Sequence, residues 1–231
     1  MKTNFVVYIG DDSRLPENTV ACYNSLRESG YDGQIIIIQQ QPLRNDGLYW
    51  RHAQGSTEFA FTRFLVPYLK GYYGKALFCD SDFIWRVNPE REMLRIAETE
   101  ANPVWCVKHN LMPDDLAPSK KNGAAQHWYP RKNWASLMLF DCDHPDVQRL
   151  TPRAASEETA GWLLELAWAS SVGELPIVYN CLVGYEGYDM TAAKALHFTD
   201  GTPFEIETIN NAPSSIVEEY RRYLYPPKLD C

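Results

Sequence analysis

The pattern Asp80-Ser81-Asp82 places two carboxylates one residue apart, directly after the apolar run Leu77-Phe78-Cys79. Carboxylates just past the C-terminal end of a strand lie where open α/β sheets take their ligands. If the chain turns there, both can converge on one hard cation, and Mg²⁺ or Mn²⁺ held this way often bridges to substrate phosphates. An Asx-turn, with the aspartates accepting backbone N–H groups, is the competing reading of the same residues. His197, shortly before the turn Gly201-Thr202-Pro203, is by itself an ordinary core or surface histidine. In combination it is a suitable third ligand, since imidazole binds Mn²⁺ and a distant segment commonly closes a metal site. Gly10-Asp11-Asp12-Ser13 offers carboxylates and backbone groups to a nucleoside. It makes a poor phosphate cradle, because it lacks a Gly-rich loop and carries two negative charges, and a solvated acidic turn fits it equally well.

These residues need elements to position them. Asn4 to Ile9 reads as a buried strand, 18–29 as a helix stopped by Gly30, and the isoleucine-rich run from Gln34 to Gln39 as a second strand. That succession is the βαβ signature of a parallel sheet. Ser56 is a plausible N-cap for a helix with Phe61, Phe64, Leu65 and Tyr68 as its apolar stripe and Pro67 as a break. Arg63 lies about 200° around that helix from Phe61, so it faces solvent, a second packed surface or a site. Lys75 to Cys79 is the strand that delivers the aspartates. Beyond it we expect a helix over 88–98, a strand over 105–109, a long loop over 111–130, a strand over 134–141 and a helix over 157–169. Short strands at 175–178 and 195–198 follow, then a helix over 214–223 with Ser214 as its cap. No repeat or linker divides the chain. One α/β domain is expected over residues 1–231, its mostly parallel central sheet flanked by helices, with a nucleotide-binding half at 1–110 and a more irregular, acceptor-side half at 111–231.

Composition narrows the partners. The 231 residues carry 22 basic and 30 acidic side chains, hence 22 − 30 = −8, with 45% hydrophobic and 23% charged residues, the balance of an ordinary globular protein. Net acidity gives no footprint for a nucleic-acid polymer or an anionic membrane. The apolar run Phe5 to Ile9 is too short for a signal-peptide core or a transmembrane segment. Cys22, Cys79, Cys106, Cys142, Cys181 and Cys231 form no CxxC pair. Four of them sit inside apolar stretches and read as buried thiols of a reducing, cytoplasmic compartment, with a zinc site or disulfide scaffold as the lesser reading, and Cys231 carries no signal.

Taken in order, Phe5-Val-Val-Tyr-Ile-Gly-Asp-Asp, Phe61-Thr-Arg-Phe-Leu-Val-Pro-Tyr-Leu, Lys75-Ala-Leu-Phe-Cys-Asp-Ser-Asp and Leu196-His-Phe-Thr-Asp-Gly-Thr-Pro resemble the nucleotide-sugar glycosyltransferases of the GT-A fold. Within these, the chain resembles the glycogenin-like, retaining galactosyl- and glucosyltransferase group and its bacterial and viral relatives. Ser136-Leu-Met-Leu-Phe-Asp-Cys-Asp-His-Pro and Gly173-Glu-Leu-Pro-Ile-Val-Tyr-Asn are similar to the same superfamily. The resemblance implies a Rossmann-like GT-A sheet and transfer of a hexose from a UDP-sugar to a saccharide, glycan or other hydroxyl acceptor, with retention. It implies Asp80, Asp82 and His197 as ligands of Mn²⁺ (or Mg²⁺), Ile9, Asp11, Ser13 and Ser81 as donor-binding residues, and Arg63 reaching the donor sugar or phosphate. Asp80, Asp82 and Arg63 then form the catalytic set. The chain also departs from the family pattern. Asp200-Gly201-Thr202-Pro203 lacks the lysine that often follows the metal histidine, which shifts leaving-group stabilisation to the metal, Lys194 or Lys228. Trp134-Ala135-Ser136 replaces a common Asn-Ser-Gly, and a later Asp-Gln pair has only Glu165 and Glu158 as weak substitutes.

A departing diphosphate needs its growing negative charge stabilised, which a divalent cation does as a Lewis acid without any acid to protonate the leaving group. The loop 111–130, with Lys120, Lys121, His127 and Trp128, is the expected acceptor side. A sugar-nucleotide nucleotidyltransferase and a non-catalytic nucleotide-sugar-binding module stay open as alternatives. The former needs a basic, Gly-rich first loop, which Gly10-Asp11-Asp12 is not.

Overall fold

The computed structural model describes residues 4–53, 55–116, 128–206, 209 and 211–225. Strand β1 (Phe5–Gly10), helix α1 (Pro16–Glu28) and strand β2 (Gln34–Ile38) form the expected βαβ unit, with β1 and β2 parallel. A short helix, α2 (Gln40–Asn45), follows directly. The next helical stretch is broken as the proline demands: α3 (Phe59–Thr62), a 3-10 turn at Arg63–Leu65, then α4 (Val66–Leu69). Pro67 has no N–H to give the Arg63 carbonyl, and the Val66 N–H donates to it instead, tightening the turn. Ser56 does not cap this stretch; Glu58 occupies the N-cap without a side-chain bond.

Strands β3 (Lys75–Asp80) and β4 (Phe83–Trp85), helix α5 (Pro89–Ala97), and strands β5 (Val104–Cys106) and β6 (Leu137–Asp141) come next. Of the expected strand over 134–141, Trp134–Ser136 is a 3-10 turn. The helix expected over 157–169 is instead two short ones, α6 (Pro152–Glu157) and α7 (Ala160–Leu164). Thr159 causes the break, since its hydroxyl accepts the Trp162 N–H and starts a new helix. Strand β7 (Gly173–Glu174) lies just before the position expected for it, and Ile177–Tyr179 is a 3-10 turn. The remaining elements are β8 (Cys181–Leu182), β9 (Ala195–His197) and α8 (Ser214–Leu224), the last with Pro213 rather than Ser214 at its N-cap. In the loop expected over 111–130, residues 117–127 lie outside the described residues, and so does Lys228.

The main sheet has the order β2-β1-β3-β6-β5-β7, and only β6 runs against the rest. Both faces are covered. Val6 and Tyr8 of β1 enter one buried cluster, Phe5, Val7 and Ile9 the other, the alternation that a strand imposes. A second sheet, β4-β9-β8, packs Ile84 and Leu196 with Ile216 and Tyr220 of α8. Among the described residues, no helix is long and apolar enough to cross a membrane.

Gly10 ends β1 opposite Asp80, and a Cβ there would meet Phe59 Cγ at 2.6 Å. Gly10→Ala is therefore expected to destabilise the protein by about 1–3 kcal/mol, because Phe59 must yield in a packed core. Urea unfolding of the two proteins measures this.

Candidate active site

Two strand ends build the site. Asp80 closes β3 in the main sheet, and β4 starts three residues on in the second sheet. There β4 pairs antiparallel with β9, placing Phe83 opposite His197, and the Phe198 N–H donates to the Asp82 carbonyl at 3.0 Å. This register sets His197 Nε2 3.3 Å from Asp82 Oδ1. One ligand atom from each of Asp80, Asp82 and His197 lies within 4.8 Å of the others. The imidazole is 1% exposed and stacks on the Phe83 ring with centroids 4.4 Å apart.

The donor set suits a divalent cation: two carboxylates and one imidazole match Mn²⁺, and the oxygens match Mg²⁺. Geometry is consistent with this. His197 Nδ1 lies 2.8 Å from Asn180 Oδ1, an acceptor, so Nδ1 carries a hydrogen and Nε2 is the ring atom that faces the Asp82 oxygen. A divalent cation between these two atoms would satisfy both, as would a proton on Nε2.

Arg63 is buried, with its guanidinium 5.2 and 5.1 Å from the ring centres of Phe59 and Phe78. Nη1 lies 2.9 Å from Asp80 Oδ1 and donates to the Ala135 carbonyl at 2.6 Å, while Nε donates to the Phe59 carbonyl. Of the three settings expected for it, the structure gives a second packed surface that borders the site. Its charge is directed at Asp80.

The first loop is held mostly by its own contacts. Ile9 is fully buried, and Asp11 accepts from the Thr19 hydroxyl at 2.5 Å and the Gln39 amide at 3.0 Å. Burial opposes ionisation of Asp12, but the Arg14 fork and the N–H groups of Arg14 and Glu58 outweigh it and hold the carboxyl below its usual range. Both the N–H and the hydroxyl of Ser13 donate to Glu58. Ser81 lines a small recess with Asp12, Asn18, Asp82 and Thr199.

A cleft of about 570 Å³ opens over Asp80 and Asp82, lined among others by Arg14, Arg63, Tyr129, Lys132 and Ser136. A shallower groove on α5 is lined by residues 88–98 alone and holds none of these groups. Leu164 reaches the cleft, whereas Glu165 is not among the lining residues, and the Glu158 carbonyl accepts from Arg51. Lys194 is bound to Glu92 at 2.8 Å and to the Tyr179 hydroxyl at 3.0 Å; the Lys194 bond, and then the Tyr179 hydroxyl donating to the same carboxylate, pull Glu92 down to about 2. The Trp128 indole donates to the Leu111 carbonyl.

Sequence reasoning gave no role to Asn180 or to His109. The signal for Asn180 was a polar residue directly after the apolar Ile177-Val178-Tyr179. His109 is buried, with Nδ1 2.7 Å from the Tyr188 hydroxyl. Burial, and then the neighbouring His197, push its imidazole down to about 3 against an opposing contact from Asn180.

Comparison with known proteins agrees with this geometry. The chain superposes on the bifunctional glycosyltransferase WbbM over 98% of its length with a TM-score of 0.63 and 13% identity. On the glycosyltransferase GlyE of Streptococcus pneumoniae TIGR4 it superposes over 97% with a TM-score of 0.59 and 13% identity. For the galactosyltransferase LgtC, in complex with donor and acceptor sugar analogues, coverage is 95% of each chain, with a TM-score of 0.55 and 10% identity. It spans 50% of the WbbM chain and 61% of the GlyE chain. The fold is therefore the GT-A fold of glycosyltransferases, as the motifs implied. No protein-family model matches the sequence. A curated relative, Protein CDI of Arabidopsis thaliana, is 35% identical over 212 residues, covering 88% of this chain and 80% of its own. The chain belongs to the family of Protein CDI.

Two predictions follow from the buried charges. Arg63→Met leaves Asp80 and the Ala135 carbonyl without their buried partner, and is expected to cost about 3–5 kcal/mol in urea unfolding. His109 takes up a proton near pH 6.5 when unfolded but only near 3 when folded. The unfolded chain thus binds more protons between those values, and stability falls as pH drops below about 6.5, by up to about 1.4 kcal/mol per pH unit. In His109→Asn that part of the slope is expected to vanish when unfolding midpoints are compared between pH 7 and pH 4.

Proposed function

We propose that this protein is a metal-dependent glycosyltransferase that moves a hexose from a nucleotide sugar, a UDP-sugar by resemblance, to a saccharide or other hydroxyl acceptor. The carrying observation is the convergence of Asp80, Asp82 and His197 at the mouth of a cleft in a GT-A fold. LgtC, matched over nearly its whole chain, is a galactosyltransferase seen with donor and acceptor sugar analogues, which supports a hexose donor and a sugar acceptor.

Asp80, Asp82 and His197 would hold Mn²⁺ or Mg²⁺, which when bound supplies Lewis-acid stabilisation to a leaving diphosphate. Arg63 sets its positive charge 2.9 Å from Asp80 Oδ1 while bordering the cleft. In this reading Ile9, Asp11, Ser13 and Ser81 shape the nucleoside end, with Asp11 and Ser13 acting through the loop they brace. We assign a donor half to 1–110, which lines the cleft with Arg63, Asp80 and Asp82, and an acceptor half to 111–231, which lines it with Tyr129 and Lys132. Tyr129 offers an aromatic surface to a sugar ring. Among the described lining residues of the main cleft the carboxylates are Asp80 and Asp82, both committed as ligands, and this favours retention over a base-assisted inversion. The five described cysteines are buried and unpaired, with Cys22 and Cys79 sulfurs 3.9 Å apart, which supports a reducing compartment.

A thermal-shift screen of nucleotide sugars with and without Mn²⁺ tests the reading, because a ligand bound only by the folded state raises the melting temperature. One UDP-hexose is expected to shift the protein only when Mn²⁺ is present. Asp82→Asn is expected to abolish that shift and to lower transfer by at least about 100-fold. Metal-independent transfer would sink the assignment.

A further inference from the structure

An imidazole can ligate a metal through Nε2 only in the tautomer that places its hydrogen on Nδ1, and the hydrogen bond at Nδ1 decides between the two. For His197 the surroundings leave one answer. Ser136 Oγ donates to the Asn133 carbonyl at 2.7 Å, a partner that can only accept. With its hydrogen directed there, Ser136 must accept from the neighbour 2.9 Å away, Asn180 Nδ2. The amide is thereby oriented, and Asn180 Oδ1 faces His197 Nδ1 at 2.8 Å. Exposure is 0% at Asn180, 3% at Ser136 and 1% at His197, so bulk water offers no alternative partner.

We propose that Asn180 and Ser136 are positioning residues of the metal site: they fix the tautomer and ring plane of His197 and so set the affinity for a divalent cation. This rests on the metal-binding reading above. Asn180 is not among the cleft-lining residues and acts through His197, whereas Ser136 also lines the cleft and acts on His197 through Asn180. Ser136 passes the constraint on to Asn133, which lines the cleft with its backbone in the left-handed region at φ 64°. Partners behind a ligating histidine are commonly worth about 10–100-fold in metal affinity.

The experiment has two readouts besides activity. The first is the tautomer of His197 in metal-free protein at pH 8, from long-range ¹⁵N–¹H NMR correlations on histidine-labelled samples. The Nδ1–H form is expected in the wild type and a mixture in Asn180→Leu. The second is Mn²⁺ affinity by electron paramagnetic resonance. Asn180→Leu is expected to weaken it about 10–100-fold, Ser136→Ala about 3–10-fold, and Asn180→Asp, which retains an acceptor opposite Nδ1, by no more than about 3-fold. An Nε2–H tautomer in the wild type overturns the proposal without any variant. So does wild-type Mn²⁺ affinity in both Asn180→Leu and Ser136→Ala while Asp82→Asn has lost it. No Mn²⁺ uptake by the wild type would instead defeat the metal reading, and this proposal with it.

Discussion

Repulsion between Asp80 and Asp82 is the constraint around which the cleft is organised. Carboxylate oxygens within 4.8 Å of each other oppose one another by about 3 kcal/mol at the effective dielectric near a protein surface. A fold that keeps them together needs a positive charge that does not itself occupy the ligand position. Arg63 meets this need beside Asp80, flanked by Phe59 and Phe78, with the Phe59 and Ala135 carbonyls accepting from its N–H groups. A guanidinium suits the place better than an ammonium, since its planar fork serves several acceptors and lies flat against rings.

The same electrostatics recast the net charge of −8. An acidic protein repels a polyanion, yet the proposed donor carries a diphosphate. Arg14, Arg63 and Lys132 face the cleft with Asp80 and Asp82, but Arg14 is forked onto Asp12 and Arg63 is bound to Asp80. Most of the cleft's own positive charge is thus already balanced. A divalent cation on the triad would reverse the local field, which is the condition under which an anion enters. Global acidity and a phosphate-bearing ligand are therefore compatible.

Local signals were the legible ones. Phe5 to Ile9 and Leu77-Phe78-Cys79 are continuous apolar strands because both sheet faces are covered there, while the isoleucine run forms the sheet edge with Ile37 exposed, and Pro67 announced the break in its helix. The aspartate pair was visible because its spacing is local. What escaped depends on contacts far apart in sequence. The 3-10 turn at Trp134–Ser136 looks like strand, since Trp134, Ala135 and Ser136 adjoin the apolar Leu137-Met138-Leu139-Phe140. The division between α6 and α7 lies in one hydroxyl of Thr159. The role of Arg63 as partner to Asp80 joins the 3-10 turn after α3 to the end of β3, which no periodicity encodes.

That misread turn is also where the two halves of the metal site meet. The Ala135 carbonyl accepts from Arg63, which holds Asp80, and the Ser136 hydroxyl accepts from Asn180, which holds His197. The Trp134 indole next to them donates to the carbonyl of His109. In an extended strand the Ala135 carbonyl would lie in the plane of the sheet, toward a neighbouring strand, while the Ser136 side chain would stand out from one face. The tighter 3-10 turn, entered through the left-handed Asn133, lets consecutive residues brace two ligands that arrive from different sheets. Departure from strand geometry at 134–136 thus follows from the site: one short turn carries the supports for both Asp80 and His197, and a shift in it would be felt by both.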